Sequence, residues 1–158
     1  MSDAGDFIRR ALEYEGDVWR AQDARDRLGG GLDATGASVG AVRGTVRDAL
    51  KKFRGLGHDD VTALASELWE PPVFENRLAA VVLLQTRAAL LRASDLTRLE
   101  GFVRDGRVAE LVDPLARDVV RPLRDALDGR ARARMDAVLD RWASEGGMPA
   151  RAAALVTR

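Results

Sequence analysis

Apolar residues recur along this chain at the three- and four-residue intervals that place side chains on one face of an α-helix. β-branched and aromatic residues are sparse and do not alternate with polar ones, so strand signals are nearly absent. The chain is therefore predicted to be all-α. The clearest stripes are Val61, Leu64, Ala65, Leu68; Val108, Leu111, Val112, Leu115; and Met135, Val138, Leu139, Trp142.

Capping residues, glycines and prolines divide these stripes into predicted helices, and Pro122 is expected to break the seventh. Helices starting near residues 39, 74 and 107 are each followed by a shorter partner, which indicates stacked helical hairpins. Since the tetratricopeptide signature is absent, we predict one HEAT-like solenoid domain over 1–158, with eight to nine helices in antiparallel pairs. The predicted helices cover about 3–16, 17–28, 38–54, 59–70, 73–93, 94–106, 107–121, 130–144 and 149–158, with a short piece at 122–129.

Composition excludes several classes of function. The 25 basic and 25 acidic residues balance, which excludes a tail that binds nucleic acid by charge alone. The absence of cysteine excludes a disulfide scaffold and a thiolate zinc site, and the single histidine, His58, argues against a histidine metal cluster or a Ser-His-Asp triad. With no signal peptide or membrane span in the sequence, we expect a cytoplasmic monomer without metal or cofactor.

The seventh predicted helix carries a polar stripe at spacings of three and four residues: Glu110, Asp113, Arg117, Arg121 and Arg124. One interpretation is a solvated face with ion pairs worth a few tenths of a kcal/mol each. The other is a pair of acids beside a row of arginines, in which the carboxylates act on a reacting centre while the arginines hold phosphates. The spacing alone favours the solvated face.

The third predicted helix carries a row of cations, Arg43, Arg47 and Lys51, at successive four-residue steps. A row of this kind on one helix face can follow a phosphate backbone. A solvated face explains the same pattern, and the spacing favours that alternative.

Four segments of the chain, in matching order and spacing, resemble the AlkD-type DNA alkylation repair family, a group of HEAT-like DNA glycosylases. They are 36–53, which contains Arg43; 67–80, with the letters ELWEPPVFENRLAA; 107–113, with RVAELVD; and 142–154, with WASEGGMPARAAA. The resemblance extends over nearly the whole chain.

The resemblance implies hydrolysis of the N-glycosidic bond of N3- or N7-alkylated purines in duplex DNA. Asp113 matches the catalytic aspartate of the family, and Glu110 lies beside it. Arg151 matches an arginine that contacts DNA next to the lesion. We add Arg43, Arg47, Lys51 and Arg117 as expected DNA contacts.

The chain departs from the family pattern in its aromatic residues. Ala109 and Met148 occupy positions where the family has tryptophan, and Glu110 stands where an aspartate is usual. The chain is also expected to stop before the C-terminal repeats of the family. An aromatic contact to a base is worth about 1–3 kcal/mol. A non-catalytic helical-repeat module that binds DNA or a protein is therefore the alternative.

Overall fold

The computed structural model describes residues 2–158, whose regular secondary structure is all helical, with no strand and a single isolated bridge between Asp33 and Val73. The predicted all-α class is confirmed, and the described residues form nine helices when the segments of the seventh are joined. The chain divides into two compact units, one ending at Thr86 and the other beginning at Arg87. A single domain over 1–158 stays a prediction.

The first unit contains five helices, and the first three begin at side-chain caps. The side chains of Ser2, Asp17 and Ser38 each accept a hydrogen bond from a backbone N–H in the first turn of the helix that follows. These helices are α1 (Asp3–Tyr14), α2 (Val18–Leu28), α3 (Val39–Lys52), α4 (His58–Trp69) and α5 (Phe74–Thr86).

Helix α5 packs against α1, α3 and α4, and every residue from Phe74 to Leu84 is buried. Burial on all sides marks α5 as the central helix of this unit. The short connection from Trp69 to Phe74 places α4 against α5. The predicted hairpins paired α4 with α3 instead, so this pairing was not predicted.

The predicted end of the fifth helix at Ala93 is wrong, because α5 stops at Thr86. The Thr86 hydroxyl donates to the Val82 carbonyl at 2.7 Å in the last turn, where a hydroxyl competes with the backbone ladder. Short 3₁₀ turns follow at Ala88–Leu90 and Ala93–Asp95, and the Asp95 carboxylate accepts the Arg92 N–H at 2.7 Å.

Two charged residues in the segment 67–80 are buried and bind the backbone. Glu75, 2% exposed, accepts N–H bonds from Thr35 at 2.7 Å and Gly36 at 3.3 Å. Arg77, also 2% exposed, donates from Nε to the Trp69 carbonyl at 2.9 Å, and its guanidinium lies 5.0 Å from the Trp69 ring centroid. These side chains hold the loop before α3 and the end of α4 in place.

The second unit is built around a long helix of mixed type. Helix α7 runs as an α-helix over Ala109–Leu115, as a π-helix over Ala116–Val120 and again as an α-helix over Arg121–Ala126. Around it lie α6 (Leu96–Asp105), α8 (Gly129–Glu145) and α9 (Gly147–Thr157). Helix α9 packs against α6, α7 and α8, and Trp142 of α8 is fully buried.

The predicted break at Pro122 is wrong, since the backbone stays helical through it. The Arg121 N–H donates to the Ala116 carbonyl five residues back. This wider π-helical turn immediately precedes the proline, which lacks an N–H and would crowd the carbonyl four residues before it in a regular α-helix. Pro122 therefore stands at the start of the last α-helical segment, where proline is tolerated.

Candidate functional site

The N-terminus of α7 is set by a tight turn at Arg107. Arg107 has φ 66°, and the Val108 N–H donates to the Gly106 carbonyl at 2.7 Å, which closes a three-residue γ-turn. A non-glycine residue in this region stores strain of about 1–3 kcal/mol. The turn immediately precedes the helix that carries Glu110 and Asp113, which begins at Ala109.

Asp113 and Arg151 form a two-pronged ion pair between α7 and α9. Arg151 Nε donates to Asp113 Oδ1 at 2.6 Å, and Nη2 donates to Oδ2 at 2.7 Å. The Asp113 side chain is 15% exposed and that of Arg151 is 51% exposed. Bidentate, charge-assisted bonds of this kind are both strong and orienting, so the carboxylate is held in one position at the protein surface.

The pKa of Asp113 is lowered, first by the hydrogen bonds from Arg151 and then by the positive charges of Arg151 and Arg117. Partial burial acts in the opposite direction but is outweighed. Asp113 is therefore a carboxylate at neutral pH. The pKa of Arg151 is raised, mainly by the same bond, so its guanidinium is charged at every ordinary pH.

The pH dependence of stability tests this pair. Because the folded protein holds the Asp113 pKa below the free value of about 4, its contribution to stability is fully present above that pH. It is lost as pH falls through the lowered folded pKa. The free energy of unfolding of the wild type is thus expected to fall more steeply than that of Asp113→Asn below about pH 4. Urea unfolding across acid pH measures this, and parallel curves would contradict it.

Two further predicted residues lie beside the pair. Arg117 Nη2 is 3.7 Å from Asp113 Oδ2, one helical turn further along α7. Glu110 is exposed, and its negative charge helps to raise the pKa of Arg151. The structure thus brings together Asp113, Glu110, Arg117 and Arg151, which the sequence had assigned to catalysis and to DNA contact separately.

The rest of the α7 stripe is not a simple solvated face. Arg124 Nε pairs with Asp136 of α8 at 2.7 Å, and Arg121 donates to the Val156 carbonyl near the end of α9 at 3.4 Å. Arg121 also donates to the carbonyl of Arg158. These side chains join α7 to the helices packed against it, as the Asp113–Arg151 pair does.

The predicted cation row lies in the first unit, on the exposed surface of α3. Arg43, Arg47 and Lys51 are all exposed, and Arg47 Nε is 3.6 Å from Asp48 Oδ1. Nothing in the structure tests their contact with DNA, which stays a prediction. Ala109 and Met148, which stand where the AlkD-type pattern has tryptophan, are half-buried.

Residues 2–158 contain no group of three or more acidic or histidine side chains arranged to hold a metal ion. Within the same range, no helix has the length and apolar character needed to cross a membrane.

The fold is that of an all-α helical-repeat protein, and its candidate site is a carboxylate clamped by an arginine. A family model described as DNA alkylation repair enzyme matches residues 8–158, so the chain belongs to that family. The resemblance read from the sequence is confirmed. A search of curated proteins found no match. Family membership supports a role in DNA repair.

Proposed function

We propose that this protein is an alkylpurine DNA glycosylase, which hydrolyses the N-glycosidic bond of N3- or N7-alkylated purines in duplex DNA. The observation that carries the proposal is the ionised Asp113 carboxylate held at the surface by Arg151, in a chain of the DNA alkylation repair family. Asp113 acts as the catalytic residue, and Glu110 adds negative charge at its side.

The chemistry suits a carboxylate without a partner acid. Alkylation makes the purine cationic, so the base leaves as a neutral molecule when the bond from its nitrogen to C1′ breaks. The sugar becomes an oxocarbenium-like cation, which a nearby fixed negative charge stabilises. Water then bonds to C1′, and its proton passes to the carboxylate or to solvent.

The ion pair with Arg151 leaves part of the Asp113 carboxylate available to stabilise the sugar cation and to accept the proton. Each carboxylate oxygen has two lone pairs, and the bonds to Arg151 use one edge of the group. The remaining lone pairs can face a sugar and orient a water. On Arg151, Nη1 makes neither of these two bonds, so it is available to a DNA phosphate while Nε and Nη2 hold the carboxylate.

A base-release assay tests the proposal. A labelled duplex with a single 7-methylguanine is incubated with the protein, and abasic sites are converted to strand breaks and separated on a gel. Breaks at the alkylated position that increase with protein concentration are expected. If breaks do not exceed those without protein, the catalytic proposal is wrong.

Titrating the same duplex for binding at several salt concentrations tests the alternative, a non-catalytic module. Ala109 and Met148 favour that alternative because they provide no aromatic side chain beside the lesion. Salt-sensitive duplex binding without base release would indicate a non-catalytic DNA-binding module. Absence of both would indicate a protein-interaction module. A cytoplasmic location and a monomeric state also remain predictions.

Arg151→Ala is expected to weaken duplex binding and to reduce its dependence on salt. The slope of log K against log salt concentration is negative, and loss of one phosphate contact reduces its magnitude by about 1. Arg27→Ala on α2 removes the same charge outside the predicted contacts and should leave the slope unchanged. Fluorescence anisotropy at several salt concentrations measures both, and equal slopes for wild type and Arg151→Ala would rule out the phosphate contact.

A further inference from the structure

A groove of about 820 Å³ runs along α1 in the first unit, between α1 and α3. Its lining extends on α1 from Asp3 to just past the helix at Glu15, and on the other side from Thr45 to Phe53. We propose that this groove binds a basic amphipathic helix of a partner protein. The proposal is independent of the glycosylase activity, because none of the lining residues belongs to the Asp113 site.

Aromatic side chains form the apolar part of the groove. The rings of Phe7 and Phe53 meet edge to face, with centroids 5.9 Å apart and an interplanar angle of 74°. Tyr14, at the last turn of α1, is 88% exposed. A tyrosine this exposed on a groove wall offers a large apolar area to a partner at low entropic cost.

The groove already holds one cation. The Lys52 ammonium lies 5.1 Å from the centroid of Phe7 and 5.8 Å from that of Phe53, within the range of a cation–π contact. The chain's own lysine thus shows that these rings accept an ammonium group from the groove side. Tyr14 presents a further ring of the same kind.

The charges around the groove favour a cationic partner. Four carboxylates line it against two cations, Arg10 and Lys52. Two of the acids make only long ion pairs within their own helices, Asp6 with Arg9 at 3.5 Å and Asp48 with Arg47 at 3.6 Å. The excess of negative charge repels phosphates and attracts lysine or arginine side chains. The four acids are Asp3, Asp6, Glu15 and Asp48.

The shape of the groove favours a helix over a small molecule. It follows the whole of α1, a helix of 12 residues, which is about 18 Å long. That length matches about three turns of a partner helix, whose apolar face would lie on Phe7 and Tyr14. Lysines or arginines flanking that face would reach the carboxylates on both walls, as in other helix-in-groove complexes.

The groove and the predicted DNA row share α3 but use different faces of it. Thr45, Asp48 and Lys52 line the groove. The row of Arg43, Arg47 and Lys51 is offset by one residue from Asp48 and Lys52, a rotation of about 100° around the helix axis. A helix bound in the groove would therefore leave the row exposed.

Two synthetic peptides test the proposal by calorimetric titration. Both are amphipathic helices with the same leucines, and one carries lysines where the other carries glutamates. The lysine peptide is expected to bind with one-to-one stoichiometry, and its affinity should fall as salt is added. The glutamate peptide is expected not to bind. Tyr14→Ala and Asp48→Asn are each expected to lower the affinity for the lysine peptide about tenfold.

Trp19→Ala serves as the matched control, because Trp19 is 84% exposed but does not line the groove, and it should leave the affinity unchanged. Equal binding of both peptides, or unchanged affinity in Tyr14→Ala and Asp48→Asn, would overturn the proposal. It would also be overturned if sedimentation showed a dimer that Tyr14→Ala abolishes, since a second copy of the chain would then fill the groove.

Discussion

Replacing Asp113 with asparagine is expected to lower the rate of 7-methylguanine release by about 10²–10³-fold, the usual cost of removing a preorganised electrostatic contact. Asparagine has nearly the same shape but no negative charge, so it cannot stabilise the cationic sugar. It also breaks the two-pronged pair, because its amide offers only one acceptor atom to Arg151. Single-turnover rates on a duplex with one lesion measure the effect.

A second carboxylate on the same helix provides the control. Asp125 is exposed near the end of α7, and Asp125→Asn removes the same charge without touching the site. Its rate should equal that of the wild type. Circular dichroism and thermal unfolding establish that each variant is folded. If Asp113→Asn keeps full activity while Glu110→Gln loses it, the catalytic role belongs to Glu110 instead.

Gly36→Ala is expected to destabilise the first unit by about 3–5 kcal/mol, among the largest effects of any single substitution. Gly36 has φ +84°, and an added Cβ would lie 2.1 Å from the Asp17 carbonyl oxygen and 2.7 Å from the Ala21 nitrogen. Both are backbone atoms, so no side chain can rotate away. The loop cannot shift freely either, because Thr35 and Gly36 are bonded to the buried Glu75.

Gly29→Ala separates the backbone strain of a positive φ from the steric clash of the added Cβ. Gly29 also has a positive φ, +67°, but nothing lies within 4 Å of an added Cβ. Its φ of 67° and ψ of −146° lie in a region that side chains strongly disfavour, so its substitution costs only backbone strain, about 1–3 kcal/mol. Urea unfolding of both variants gives the difference in free energy. If Gly29→Ala and Gly36→Ala lower the free energy of unfolding by similar amounts, the close approach of Gly36 to α2 does not contribute to the effect.

The fold followed from the sequence wherever the signal was local. The apolar stripes located the helices, and helices with a clear N-cap, such as the one after Ser38, begin where predicted. The errors arose at Thr86 and Pro122, where a side-chain hydroxyl and a π-helical turn changed the helix, and neither leaves a pattern in hydrophobic periodicity.

The residues of the candidate site could be predicted from the sequence, but the contacts between them could not. Asp113 and Arg151 are 38 residues apart, and their pairing depends on how α9 packs on α7. The sequence gives no sign that Glu75 and Arg77 are buried, because their hydrogen-bond partners are backbone groups outside their own helix. Contacts of this kind are fixed by tertiary packing, which spacing along the chain does not encode.

Cleavage of the bond between an alkylated purine and its sugar can be followed by measuring free 7-methylguanine released from duplex DNA. Wild type, Asp113→Asn and a sample without protein are followed in parallel by chromatography. We expect release by the wild type to exceed uncatalysed loss of the base, and the variant to approach the uncatalysed rate. A wild type that releases the base no faster than the sample without protein would show that the chain does not catalyse this reaction.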